Sequence, residues 1–87
     1  MTDTMKIALG VAKQQAEYYA APVLDPDRLE KPMAVGYLIS AIEQIIGIAL
    51  FNQLGDYDAL DMLQRREIAI RALWAANYPP DDTYSFV

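Results

Sequence analysis

The sequence contains two pairs of carboxylates, the side chains that most often bind divalent cations or carry out acid–base chemistry. Asp25 and Asp27 are separated by one residue, and Asp81 and Asp82 are adjacent. Either pair could contribute to a cation site or to proton transfer. Neither pair has further acidic ligands at a recognisable spacing, so helix capping and loop solubility explain the four carboxylates better.

The composition excludes the chemistry of many enzyme sites. The chain contains no cysteine and no histidine, which rules out disulfides, Cys/His zinc sites, catalytic thiols and imidazole bases. Its four glycines are isolated from one another, so there is no glycine-rich phosphate-binding loop. We therefore predict a protein that is not an enzyme and that binds neither a metal nor a cofactor.

Length and charge limit the remaining functions. A chain of 87 residues forms one domain with a small core, and 54% hydrophobic residues argue against disorder over most of its length. The formal charge of −5 disfavours direct binding to nucleic acids and anionic membranes. It suits a protein partner with a basic surface. The N-terminal region has no basic segment of the signal-peptide type, so a cytoplasmic location is expected.

Three apolar periodic segments predict an all-α, small antiparallel three-helix bundle. The expected helices span 4–21, 32–54 and 58–77, with room for a short helical turn at 26–30. Gly55 suits a left-handed residue after the second helix. Asp56 or Asp58 can cap the third helix. We expect a single helical domain over 1–87 in which residues 78–87 form an extended C-terminal tail.

The third helix carries one polar residue inside its main predicted apolar face. That face consists of Ala59, Met62, Leu63, Ile70, Leu73 and Trp74. In a hairpin that turns near residues 55–57, Glu43 lies opposite roughly residues 66–69, and Arg66 lies within the apolar face. Glu43 and Arg66 are therefore a candidate salt bridge, with Arg65 or solvent as the alternative contact for Glu43.

The central segment 33–51 is apolar and contains a single charged residue over a length that would just span a bilayer. The acidic residue at its middle and the lack of basic flanks oppose that interpretation, so we predict no membrane contact. Gly36, Ser40, Glu43 and Gly47 recur at intervals of 4, 3 and 4 residues and form one stripe along the helix. The stripe predicts either close helix packing or a solvent-facing line.

Charge is predicted to collect at one end of the bundle. In an up-down-up arrangement, the connector between the first two helices lies at the same end as the tail. That end would gather five carboxylates: Asp25, Asp27, Glu30, Asp81 and Asp82. One hypothesis is an acidic mimic of nucleic acid that blocks a nucleic-acid-binding protein, by analogy with inhibitors of the phage type. The alternative is a solvated end that keeps an apolar protein soluble.

The first two helices have more apolar surface than a three-helix core can bury. Each carries an apolar arc of about 220°, whereas a core-facing helix needs little more than about 100°. Excess apolar surface of this kind usually marks an interface. The expected function is therefore protein–protein binding of the adaptor or inhibitor type, with a homo-oligomer formed through helices 1 and 2. A small subunit of an enzyme or ligand-binding complex is the further alternative.

Overall fold

The computed structural model describes residues 2–24 and 35–76, and the side chains of 2–19 and 35–76. It confirms the predicted all-α three-helix bundle. The helices are α1 (Asp3–Leu24), α2 (Val35–Leu54) and α3 (Met62–Ala75), and each packs against the other two. The short turn expected at 26–30, the expected start of the second helix at residue 32 and the tail at 78–87 lie outside the described residues.

The second helix supplies most of the large side chains of the core. Of the six largest fully buried side chains among the described residues, five belong to α2 and one to α3: Leu38, Ile39, Ile42, Ile46, Leu50 and Leu73. The α2 members recur at helical spacing, so one side of the helix faces inward along its length. Burying each such side chain contributes about 1.5–3 kcal/mol. The position of α2 is therefore fixed along its whole length.

The first helix contributes small residues to the core. Ala8, Ala12 and Ala16 recur every fourth residue and are at most 1% exposed. Because an alanine side chain is a single methyl group, this stripe lets the α1 backbone approach its neighbours closely. The larger side chains of Ile7 and Val11 pack at the edges of the cluster.

The first helix is longer than predicted. It continues to Leu24, three residues beyond the predicted end at residue 21, and it includes Pro22. A proline removes its own N–H from the hydrogen-bond ladder and disturbs the preceding turn. Pro22 is only two residues from the end of the helix, so little helix follows the residue that lacks an N–H.

The turn between α2 and α3 departs from the prediction in one respect. As predicted, α2 ends at Leu54, and Gly55 adopts a φ of 75°. The predicted start of the next helix at residue 58 is wrong, because α3 begins at Met62. Asp61 caps this helix: its Oδ1 accepts from the Gln64 N–H at 2.8 Å, and the Gln64 Oε1 accepts from the Asp61 N–H at 3.0 Å. The helix ends at Ala75, two residues before the predicted end at residue 77.

The predicted apolar face of the third helix is correct at Leu73, which is completely buried, but wrong for most of its other members. Met62, Leu63 and Trp74 are 59%, 76% and 59% exposed, and Ala59 and Ile70 are half-buried. The inward side of α3 consists instead of Arg65, Ile68, Ala69 and Leu73. The helix is therefore rotated about its axis from the predicted orientation, and this rotation directs Arg65 rather than Arg66 into the protein.

Candidate interaction surface

Arg65 holds the turn between α2 and α3 in place. Its Nη1 donates to the carbonyl oxygens of Leu60 at 2.6 Å and Tyr57 at 3.2 Å, and to Oδ1 of Asp58 at 3.2 Å. The side chain of Arg65 is 4% exposed, whereas that of Asp58 is 77% exposed, so solvent weakens the ion pair. The two carbonyl contacts are therefore the main reason that this buried arginine stabilises the turn.

The ring of Tyr57 contacts both Arg65 and α2. The guanidinium carbon of Arg65 is 4.6 Å from the centre of the ring, within cation–π range. The ring also contacts Gly47: a Cβ at that position would lie 2.5 Å from Cζ and 2.6 Å from Cε2 of Tyr57. A glycine at position 47 is thus what allows the turn to pack onto α2.

The predicted stripe of Gly36, Ser40, Glu43 and Gly47 lies at the border between the inner and outer sides of α2. Gly47 and Glu43 are buried, Gly36 is half-buried and Ser40 is exposed. The stripe is thus divided between the two predicted roles: Gly47 is a close-packing position, and Ser40 faces solvent.

The ion pairs of the described residues do not include the predicted pair of Glu43 and Arg66. They are Arg65–Asp58 at 3.2 Å and Arg71–Glu67 at 3.7 Å. Glu43 is 8% exposed, and Arg66 is half-buried. The buried arginine of α3 is Arg65, the alternative that the sequence left open, and it binds the turn rather than Glu43.

The side of α2 opposite the core forms the most distinctive surface of the described residues, and we call it the outer face. Its members are exposed or half-buried: Tyr37, Ser40, Ala41, Gln44, Ile45, Ile48 and Phe51. Three of them are large apolar residues with substantial exposure, 62% for Tyr37, 51% for Ile48 and 57% for Phe51. The single charged residue of α2, Glu43, lies at the border of this face and is buried. The outer face therefore carries no charge.

Sequence reasoning recognised the excess apolar surface of the second helix but did not locate the outer face within it. The apolar arc was too broad for periodicity alone to separate its inward half from its outward half. A usable signal was present, since Tyr37, Ala41, Gln44, Ile48 and Phe51 follow one another at intervals of 4, 3, 4 and 3 residues. That spacing is typical of a seam between packed helices.

A groove lies between α1 and α3. The groove has a volume of about 440 Å³ and is lined mostly by alanine and other aliphatic side chains. Three charged residues, Lys13, Glu17 and Arg71, also line it. Within residues 2–24 and 35–76, no three or more acidic side chains gather in a way that could hold a metal ion. The groove is thus a shallow apolar depression with mixed charges beside it.

The predicted acidic end cannot be placed on this structure. All five of its carboxylates, Asp25, Asp27, Glu30, Asp81 and Asp82, lie outside the described residues. The nucleic-acid-mimic hypothesis that depends on them stays a prediction from the sequence.

By length and composition alone, α2 could also cross a membrane. Its mean hydropathy is 1.5 over the most apolar window, of which 44% is buried inside the protein. Core helices of soluble proteins have the same properties, so this observation is weak support for a membrane span.

No protein-family model, curated protein or solved structure matches this chain. The uncharged outer face of α2 is therefore the strongest indication of function that the described residues provide.

Proposed function

We propose that this protein is a non-catalytic helical domain that acts by binding another protein chain through the outer face of α2. The observation that supports this function is the exposure of Tyr37, Ile48 and Phe51 on a helix side that has no charge. The solvent side of a surface helix is normally rich in charged residues. A side without any is typical of the centre of a protein interface.

The size and chemistry of the outer face fit an interface. A large aromatic side chain has an area of about 150–250 Å². With Tyr37 and Phe51 about 60% exposed and Ile48 half exposed, the three together expose roughly 300 Å² of mainly apolar surface. Apolar patches of about 300–600 Å² are the largest that monomeric proteins usually show, and they are often functional. Aromatic side chains are enriched at the centres of interfaces, where charged residues are depleted.

The outer face is also held rigidly. The inner side of α2 carries five of the largest buried side chains, and Tyr57 is packed onto the same helix at Gly47. A partner that docks on α2 therefore does not have to order the helix first, which reduces the entropic cost of binding.

Site-specific photo-crosslinking tests this function directly. A photoreactive residue would replace Ile48 on the outer face, and a matched variant would carry it at Gln14, which is exposed on α1. In the cells that produce the protein, we expect a discrete covalent adduct from position 48 and not from position 14. Equal labelling at the two positions, or no adduct at position 48, would show that the outer face does not bind protein.

Salt dependence separates this function from the nucleic-acid-mimic hypothesis. Binding through the uncharged outer face should change little between low and high ionic strength, because no charges are paired across it. Binding through a cluster of carboxylates should weaken steeply, since screening shortens the range of electrostatic attraction to about 3 Å at 1 M salt. Measuring the yield of the adduct at position 48 in extracts of increasing salt would distinguish the two.

A further inference from the structure

We infer that the chain covering the outer face is a second copy of this protein, with the two α2 helices packed antiparallel. This inference rests on the proposed function, because it names the partner that the same surface binds. It adds an orientation and a contact register to the general expectation of a homo-oligomer.

The spacing of the outer face is that of a helix–helix seam. Tyr37, Ala41, Gln44, Ile48 and Phe51 occupy alternating intervals of 4 and 3 residues along α2. This interval pattern keeps successive side chains in line with a neighbouring helix and allows each to fit between residues of that helix. The partner that suits the surface is therefore another helix with an apolar line of similar length, and α2 of a second copy has one.

Charge also favours a second copy over other partners. The positive charges of a basic protein surface would have no carboxylate to pair with on the outer face. A second outer face has no charge, so packing two of them together leaves no charge unpaired. A lipid surface is a poorer fit, because helices that lie on membranes carry Lys or Arg beside the apolar residues and α2 contains neither.

The antiparallel orientation follows from the charges beyond the end of α2. Asp56, Asp58 and Asp61 lie in and just after the turn that follows Leu54. Parallel packing would bring these carboxylates of both copies together. Antiparallel packing places them at opposite ends of a helix about 30 Å long, well beyond the screening length of roughly 8–10 Å at physiological salt.

The register follows from the position of Gln44. Tyr37 and Phe51 each lie seven residues from Gln44, in opposite directions along α2. A two-fold axis at Gln44 would place each Tyr37 beside the partner's Phe51 and the two Gln44 amides beside each other. A single polar residue in an apolar seam often fixes the register at some expense of stability.

The area of this contact predicts a weak and reversible dimer. In two copies the three large side chains would remove roughly 600 Å² from water. The smaller residues beside them add to this, and the total falls in the range of transient complexes, below about 1,200 Å². A dissociation constant on the order of micromolar is expected.

Analytical ultracentrifugation over a range of concentrations tests the dimer. We expect the wild-type chain to change from monomer to dimer in the micromolar range, at both low and high salt. Ile48→Lys should weaken association by about 100-fold, because it places an unpaired charge in the seam. Leu63→Lys, at a position that is 76% exposed on α3, should leave association unchanged. Gln44→Leu should strengthen it about tenfold.

Disulfide cross-linking tests the orientation, and the absence of native cysteine makes single-cysteine variants unambiguous reporters. Gln44→Cys should form a cross-linked dimer on oxidation. Tyr37→Cys alone and Phe51→Cys alone should not, whereas a mixture of the two should, because disulfides form only between Cα atoms within about 7 Å. Self-cross-linking of Tyr37→Cys would indicate parallel packing and overturn the antiparallel arrangement.

Three results would overturn the second copy as the partner. They are a wild-type monomer at all concentrations, a dimer that Ile48→Lys leaves unaffected, and sedimentation of the protein with neutral or anionic lipid vesicles through α2. If position 48 forms a photo-crosslink only with a different protein, the second copy is excluded while the proposed function stands. If position 48 forms no crosslink, the proposed function itself fails.

Discussion

The ring of Tyr57 lies against the backbone of Gly47, so close that a Cβ at position 47 would be 2.5 Å from the ring Cζ. This contact joins α2 to the turn that follows it, and Arg65 of α3 contacts the same ring. Three segments of the chain therefore meet at one aromatic side chain. The contact fixes the exit of the chain from α2 and thereby the position at which α3 begins to pack.

Replacement of Gly47 by alanine tests this contact. Alanine favours a helix over glycine by about 0.5–1 kcal/mol, but the added methyl group must displace the ring, and overpacking costs about 1–3 kcal/mol. We expect Gly47→Ala to lower the free energy of unfolding by about 1 kcal/mol. Chemical denaturation monitored by circular dichroism provides the measurement.

Gly10→Ala is the matched control for that substitution. Gly10 lies inside α1, and a Cβ there meets no atom within 4 Å, so only the helical gain applies and stability should rise by about 0.5–1 kcal/mol. Removing the ring with Tyr57→Ala should abolish the penalty of Gly47→Ala in a double-mutant cycle. Equal stabilisation by the two glycine substitutions would show that the ring does not restrict position 47.

Arg65 should be far more important for stability than its neighbours on α3. Arg65→Ala leaves the carbonyls of Tyr57 and Leu60 without this donor, and we expect a loss of about 2–3 kcal/mol. Arg71 provides a control, because its ion pair with Glu67 joins side chains that are 78% and 68% exposed, and Arg71→Ala should cost at most about 0.5 kcal/mol. Thermal unfolding of the two variants provides the comparison. Similar melting temperatures would show that Arg65 is no more important for stability than Arg71.

The start of α3 depends on the side chain of Asp61. Asp61→Ala removes the acceptor for the Gln64 N–H and should destabilise the protein by about 1 kcal/mol. Asp61→Asn keeps an acceptor oxygen and should change stability by only a few tenths of a kcal/mol. If the alanine and asparagine variants unfold at the same denaturant concentration, the cap does not hold the helix end.

Two leucines of α3 test its orientation. Leu73 is completely buried, whereas Leu63 is 76% exposed. Leu73→Ala should cost about 2–5 kcal/mol because it creates a cavity, and Leu63→Ala should change stability by about 0.5 kcal/mol or less. The free energies of unfolding from denaturant titration provide the comparison, and comparable losses would indicate that the helix packs in the predicted rather than the observed orientation.

The bundle itself could be predicted from sequence because its signals are local. The apolar periodicity of the three segments and the position of Gly55 specify helices and one of their ends without reference to tertiary contacts. The start of α3 was harder to predict, since Asp56, Asp58 and Asp61 all have side chains that can cap a helix. The structure uses each differently: Asp56 accepts from the Asp58 N–H, Asp58 pairs with Arg65, and Asp61 caps the helix.

The rotation of α3 and the contact of Tyr57 with Gly47 could not be predicted, because both depend on tertiary packing. Adjacent helical positions differ by 100°, so a small error in rotation exchanges Arg65 for Arg66 as the inward residue. The contact between Gly47 and Tyr57 depends on how the turn folds back onto α2. Neither is specified by the periodicity of one segment.

If another protein chain covers the outer face of α2, hydroxyl-radical footprinting should detect that cover. Tyr37 and Tyr18 are the same residue type with similar exposure, 62% and 56%, so they should be oxidised at similar rates in dilute purified protein. In concentrated protein and in extracts of the producing cells, we expect oxidation of Tyr37 to fall severalfold while that of Tyr18 is unchanged. A constant ratio between the two tyrosines under all these conditions would contradict it.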